Sequence, residues 1–138
     1  MDETVQLRRP GLDQHKEWVA TQVVDAAFAV HVKLGPGLLE SVYEACLAYE
    51  LRERGLTVRT QVILPVRYGD IEIEAGLRLD ILVEELVIVE IKAVESLLPV
   101  HEAQLITYLK LSDLELGSLI NFNMARIKHG IKRMVRSH

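Results

Sequence analysis

The segment Leu86-Val87-Ile88-Val89-Glu90-Ile91-Lys92 constrains this chain more than any other. A nearly continuous apolar run of that length reads as a strand buried on both faces, at the centre of a covered sheet. Period two places Glu90 and Lys92 on the same face of it. Charges in such a strand are costly unless they are paired, hydrogen-bonded or bound to a metal. The preceding strand carries the same anomaly in Leu79-Asp80-Ile81-Leu82. Two carboxylates on adjacent strands plus one lysine suit metal-assisted hydrolysis. Asp80 and Glu90 would hold Mg²⁺ or Mn²⁺ through hard oxygen ligands. Lys92 would orient a water or offset charge developing on a phosphate. Two carboxylates ~4 Å apart at an effective dielectric of ~20 repel by about 4 kcal/mol. One lysine offsets only part of that, so a proton or a cation should join them. The competing reading is a buried Asp80–Lys92 or Glu90–Lys92 ion pair that serves only the fold.

Convergence of the two carboxylates sets a condition on the hairpin. A two-residue turn at Glu84-Glu85 would set Asp80 opposite Val89 and send Glu90 to the other face. An odd-length loop or a bulge is therefore expected. Around this hairpin the pattern predicts a helix over 13–33, with Asp13 as N-cap and Val19, Val23, Ala27 and Val30 on one face. Gly35-Pro36-Gly37 ends it. A second helix is expected over 38–54, with a stripe of Leu39, Val42, Tyr43, Cys46 and Leu47. Strands follow at 58–68, 71–74, 77–83 and 86–92, the second alternating strictly. A helix over 99–111 and a strand over 117–122 complete a right-handed parallel crossover. The expected class is α/β (α+β), a small mixed β-sheet flanked by helices in the order α-α-β-β-β-β-α-β. The length of 138 residues suits one domain over 1–138, with a loosely ordered arm at 1–12.

Composition narrows the classes. With 49% hydrophobic residues the chain is not intrinsically disordered. No apolar stretch approaches membrane-spanning length, so no membrane partner is expected. Met1-Asp2-Glu3 lacks the basic-then-apolar order of a secretory signal, and the single Cys46 gives neither a disulfide framework nor a cysteine zinc cluster. A cytoplasmic location follows by default. The net charge of −4 is unpromising for a nucleic-acid binder. That average hides a basic C-terminal segment, 124–138, carrying Arg126, Lys128, Lys132, Arg133 and Arg136 and no acid. Arg126, Lys128, Lys132 and Arg133 are candidate phosphate contacts. The interleaved Ile127, Ile131, Met134 and Val135 offer the alternative of an apolar stripe packed on the sheet or on a second subunit, and a homodimer is plausible.

Two more features complete the inventory. Glu40 lies in the first turn of the second helix, where the helix dipole favours a carboxylate. Gln104 and Tyr108 stand side by side at i, i+4 on the third helix.

Gly37-x-x-Glu40-x-x-Tyr43 resembles the signature of the GxxExxY protein family, and the likeness runs from about residue 23 to 135. It includes Asp80-Ile81-Leu82-Val83, Val87-Ile88-Val89-Glu90-Ile91-Lys92-Ala93, Pro99-Val100-His101-Glu102-Ala103-Gln104-Leu105 and Leu119-Ile120-Asn121-Phe122-Asn123. That family looks like a compact branch of the PD-(D/E)xK nucleases, which implies a restriction-endonuclease-like core. The resemblance matches Asp80 to the motif aspartate and Glu90 and Lys92 to the (D/E)xK pair. It implies that Glu40 joins Asp80, Glu90 and the Ile91 carbonyl at the metal, and that Gln104, Tyr108 and Tyr43 position substrate. Two departures stand out: Leu79 precedes Asp80 where proline is common, and Ala29 precedes the Val30-His31 pair where family members often carry glutamate.

The implied function is a divalent-metal-dependent nuclease hydrolysing phosphodiester bonds in nucleic acid, with DNA favoured over RNA. The alternative is a non-catalytic nucleic-acid-binding or protein-interaction module that retains the fold. Its support is the acidic body, the 5% aromatic content and the absent first-helix glutamate.

Overall fold

The computed structural model describes residues 14–136, so the Asp13 cap and the arm at 1–12 lie outside the described residues. Helix α1 (Gln14–Leu34) buries Val19, Val23, Ala27 and Val30, as their spacing predicts, together with Ala20 and Ala26. Gly35 and Gly37 then take positive φ angles of 70° and 100°, a region that glycine enters without a Cβ clash, and the chain reverses there. Helix α2 (Glu40–Glu53) starts two residues later than its pattern predicts, because Leu39 is extended with ψ at 150°. Its buried side is Tyr43, Leu47, Ala48 and Leu51. Leu39 and Val42, expected in that stripe, are exposed.

Strands β1 (Val58–Tyr68), β2 (Ile71–Val83) and β3 (Val87–Lys92) form an antiparallel meander. Helix α3 (Pro99–Ser112) crosses over to β4 (Leu116–Asn121), which pairs with β3 in parallel. A short 3-10 turn at Ile127–Gly130 leads to β5 (Ile131–Val135), antiparallel to β4. The five-stranded mixed sheet has the order β1-β2-β3-β4-β5, so β3 is central, and all its residues except Lys92 are buried. Among the described residues no helix is long and apolar enough to cross a membrane.

Two features depart from the expected order, which becomes α-α-β-β-β-α-β-β. The spans 71–74 and 77–83 are one strand, β2. Its register with β1 shifts between Leu64/Val66, where Pro65, which has no N–H to donate, faces Glu74, Ala75 and Gly76. A Cβ on Gly76 would lie 2.3 Å from Val66 Cγ2, so the strand stays continuous there because residue 76 has no side chain. The second departure is β5, whose charges hid an edge strand. Ile131 and Val135 pack against one core and Met134 against the other. This is the sheet-packing alternative for the basic segment.

The two faces carry separate cores. On one, α1 and α2 cover Ile81, Val83, Val87, Val89 and Ile91. On the other, Leu105 and Leu109 of α3 cover Val62, Leu79, Leu82, Ile88 and Leu119. Each fully buried Val, Leu or Ile contributes roughly 1.5–3 kcal/mol, so β3 is held firmly from both sides. A rigid central strand is what makes its two charged residues usable.

Candidate functional site

The hairpin joining β2 and β3 meets the condition set by its sequence. Its loop is three residues, Glu84-Glu85-Leu86, and the register runs Val83↔Val87, Leu82↔Ile88, Ile81↔Val89. One further step puts Asp80 opposite Glu90. There the backbone ladder ends and the side chains replace it. The Asp80 amide donates to Glu90 Oε2 at 2.9 Å, and the Ile91 amide donates to Asp80 Oδ2 at 2.8 Å. Each carboxylate thus satisfies an amide of the other strand, and the two acids are held side by side. Asp80 Oδ1 and Glu90 Oε1 accept no hydrogen bond from the described residues.

The electrostatics follow from that confinement. Burial, then the adjacent Asp80 charge, pushes the Glu90 carboxyl up to about 8, although the Asp80 amide, Lys92 and Arg78 pull it down. Burial also raises Asp80, opposed by the Ile91 amide and Lys92 and reinforced by Glu40. The Tyr108 hydroxyl is raised by burial and then by Glu90 and Asp80.

An open cleft of about 460 Å³ lies over the pair, lined by Glu40, Arg78, Asp80, Glu90, Lys92, Gln104 and Tyr108, with Ile63 and residues 75–77 along one wall. Six residues singled out in the sequence therefore converge from α2, β2, β3 and α3. Glu40 reaches the cleft from the first turn of α2, where its Oε2 accepts the Ala93 amide at 3.3 Å. Ile91 is the residue between Glu90 and Lys92, and its amide already binds Asp80.

Tyr43 is not brought into the cleft. It is fully buried, stacks on Phe122 with ring centroids 4.6 Å apart, donates from its hydroxyl to the Gly35 carbonyl and accepts the Leu38 amide. Its position pins the Gly-Pro-Gly turn and so fixes where α2 begins. Tyr43→Phe is expected to lower stability by about 1–3 kcal/mol through the unpaired Leu38 amide and Gly35 carbonyl. Denaturant melts check this, and metal-induced stabilisation measured on the same variant should persist.

The basic segment is also elsewhere. Arg133 makes a two-pronged contact with Glu17 of α1 at 2.7 and 2.8 Å, and Lys132 lies 3.8 Å from Glu102 of α3. Arg126 and Lys128 flank a groove with Phe28, His31 and Val32. None of the four lines the cleft over Asp80 and Glu90. His31 donates from Nε2 to the Met124 carbonyl at 2.7 Å, a structural tie between α1 and the segment after β4.

Sequence reasoning missed three participants. Arg78 sits two residues before Asp80 and shares the cleft with it, a signal legible in period two. Glu44, one turn beyond Glu40, receives the Gln61 amide at 2.6 Å; burial raises its carboxyl and Asp80 adds to the rise. Asn121, fully buried at the end of β4, braces the chain just after Lys92: its Oδ1 accepts the Val94 amide and its Nδ2 donates to the Val94 carbonyl.

A model of the PD-(D/E)XK nuclease superfamily matches residues 17–134, a span that takes in the paired acids and the lysine at the end of the central hairpin, and the chain belongs to that superfamily. Its fold is restriction-endonuclease-like. Among solved structures, the crystal structure of SSO0001 is similar with a TM-score of 0.53 at 19% identity, over 90% of this chain and 63% of that one. At that identity the likeness concerns the fold. Among curated proteins none matches.

Nucleases of this superfamily generally use a divalent metal, and the donors present fit one. The buried Glu90 and the half-buried Asp80 each keep a second oxygen free of its amide bond, so a cation or a proton is needed between them. Among the described residues no three Asp, Glu, His or Cys side chains form a ready cage. That suits a hard cation that keeps several waters and takes one or two carboxylates together with substrate phosphate.

Proposed function

We propose that this chain is a divalent-metal-dependent nuclease of the GxxExxY branch that hydrolyses phosphodiester bonds, in DNA rather than RNA. The observation that carries the reading is the reciprocal carboxylate–amide exchange of Asp80 and Glu90, with Lys92 in the same cleft. An ion pair serving only the fold would join acid to lysine, whereas here the two acids face each other and the lysine lines the open space.

Asp80, Glu90 and the Ile91 carbonyl would hold Mg²⁺ or Mn²⁺, with Glu40 as an outer ligand. The cation supplies Lewis-acid charge at the phosphate. Lys92 hydrogen-bonds the attacking water and the non-bridging oxygen on which charge grows, a contact that strengthens towards the transition state. Gln104 and Tyr108, one helical turn apart on α3 and lining the same cleft, orient the phosphate or the Lys92 ammonium. The groove walls exclude part of the solvent, which strengthens each of these contacts.

The test is a cleavage panel of single-stranded, duplex, flap and branched DNA plus RNA, with Mg²⁺ and with Mn²⁺, run beside Lys92→Ala. Metal-dependent cleavage that falls at least a hundredfold in Lys92→Ala is the expected result. Equal residual cleavage by both proteins, or none by either, returns the chain to the non-catalytic reading.

A further inference from the structure

We infer that Arg78 is the residue that seats a backbone phosphate of the substrate strand beside the Asp80–Glu90 pair; the inference rests on the nuclease reading of this cleft.

Three observations support it. First, Arg78 is exposed on β2 and lines the cleft together with Asp80, Glu90 and Lys92. Second, the other arginines of the described residues are nearly all engaged by protein partners. Arg59, Arg67, Arg133 and Arg136 form ion pairs, Arg52 donates to the Val58 carbonyl and Arg54 to Gln22. Arg78 and Arg126 have no hydrogen bond or ion pair among the described residues, and only Arg78 is at the cleft. Third, its guanidinium is near enough to favour the ionised forms of Glu44, Asp80, Glu90 and Tyr108 without bonding to any of them.

The chemistry fits a phosphate better than a carboxylate of the protein. A guanidinium presents a planar fork that binds a phosphate through two parallel hydrogen bonds, and it keeps its charge in any cleft. The acids of the cleft are confined by backbone amides and lie where a cation is needed, so they do not capture Arg78. With Glu90 holding its proton up to about pH 8, Glu40 and Asp80 are only balanced by Arg78 and Lys92, so the empty cleft offers a nucleic acid no net attraction. A divalent cation makes the cleft positive, and Arg78 then adds a directional contact from β2. Its position on a strand, bracketed by the buried Leu77 and Leu79, fixes the contact within a rigid element.

The experiment uses the full chain and an oligonucleotide cleaved by the wild type. Binding is read by anisotropy in Ca²⁺ across a salt series, and cleavage by KM and kcat in Mg²⁺ or Mn²⁺. Arg78→Ala should raise KM about tenfold with kcat within about threefold, and should reduce the salt slope of binding by about 1. Arg78→Lys, a point charge without the fork, should recover the salt slope but only part of KM. Arg67→Ala, on the β1–β2 ribbon and paired with Glu72, controls for general loss of surface charge. The Mn²⁺-induced rise in melting temperature should be the same in Arg78→Ala as in the wild type, which separates a phosphate contact from damage to the metal site. An unchanged KM and salt slope in Arg78→Ala, with the wild type active, overturns the role of Arg78 alone. A wild type that neither binds nor cleaves overturns the nuclease reading and this inference with it.

Discussion

Glu90→Gln is expected to lose metal-dependent cleavage at least a hundredfold and, without metal, to be more stable than the wild type at pH 9. The two effects have one origin. The substituted amide keeps an oxygen to accept the Asp80 N–H, as Glu90 Oε2 does at 2.9 Å, while removing a charge that burial and Asp80 oppose. Glu90 is raised from its ordinary 4.5 to about 8 in the folded protein. Between those values the folded state keeps a proton that the unfolded chain releases, so the stability linked to this group is full below pH 4.5. It falls as pH rises and is lost above about 8. At 1.36 kcal/mol per unit the full effect has an upper bound of roughly 4–5 kcal/mol. Melts in a chelator at about pH 5, 7 and 9 should therefore converge for the two proteins at low pH and separate at high pH. Parallel pH profiles would mean that Glu90 is not held ionised at a cost. Adding millimolar Mg²⁺ or Mn²⁺ should raise the wild-type melting temperature by mass action, and much less that of Glu90→Gln. The loss of cleavage corresponds to about 3 kcal/mol of transition-state stabilisation, the scale of removing one preorganised charge contact.

The same group explains what the sequence conveys. The apolar run before Lys92 announces a central strand, and the demand that Asp80 and Glu90 share a face requires an odd loop. The three-residue Glu84-Glu85-Leu86 turn meets it. These features are legible because they depend on period two and on the cost of burying charge, both local. Glu40, Gln104 and Tyr108 reach the site through helix ends and helix faces that only the family resemblance connects to it. Tyr43 belongs to the same motif, yet its hydroxyl is engaged by Gly35 and Leu38. A signature residue can thus serve the turn that presents Glu40 rather than the chemistry of the cleft. The misjudged elements have physical causes of the same kind. Ala75-Gly76 reads as a break because glycine weakens a strand, whereas here it admits Val66. Lys132 and Arg133 read as candidate phosphate contacts in a basic segment, but they lie on an edge strand whose alternation points one at Glu102 and the other at Glu17. Long-range pairing of that sort carries no periodic signal.

Asn121→Ala is expected to be among the most destabilising single changes near the cleft, and to reduce cleavage without touching substrate. Asn121 pairs in register with Lys92 across the parallel β3–β4 ladder. It is fully buried, and its amide closes a ring of contacts on the segment after Lys92: Val94 N–H to Oδ1 at 3.0 Å, Nδ2 to the Val94 carbonyl at 2.9 Å and Asn123 N–H to Oδ1 at 3.2 Å. Alanine leaves the Val94 and Asn123 amides without their acceptor and the Val94 carbonyl with only the longer contact from Asn123 Nδ2 at 3.4 Å, and each buried group so orphaned costs about 1–3 kcal/mol. Partial hydration of the half-buried Val94 and Asn123 lowers the total, so a loss of roughly 3 kcal/mol in denaturant melts is expected. Because Ala93, next in the chain, also donates to Glu40, slackening this segment moves both Lys92 and the α2 carboxylate relative to the fixed Asp80–Glu90 pair. The expected kinetic signature at a temperature where the variant is folded is a fall in kcat of about tenfold or more with Mn²⁺ affinity changed little. Asn121→Asp separates geometry from charge. It keeps Oδ1 as an acceptor for Val94 and Asn123 but loses the Nδ2 donor and buries a new carboxylate. It should therefore be no more stable than Asn121→Ala at about pH 8 and recover stability as pH falls. Were Asn121→Ala to melt with the wild type and cleave at the wild-type rate, the brace would be dispensable, and the position of Lys92 would be set by β3 alone.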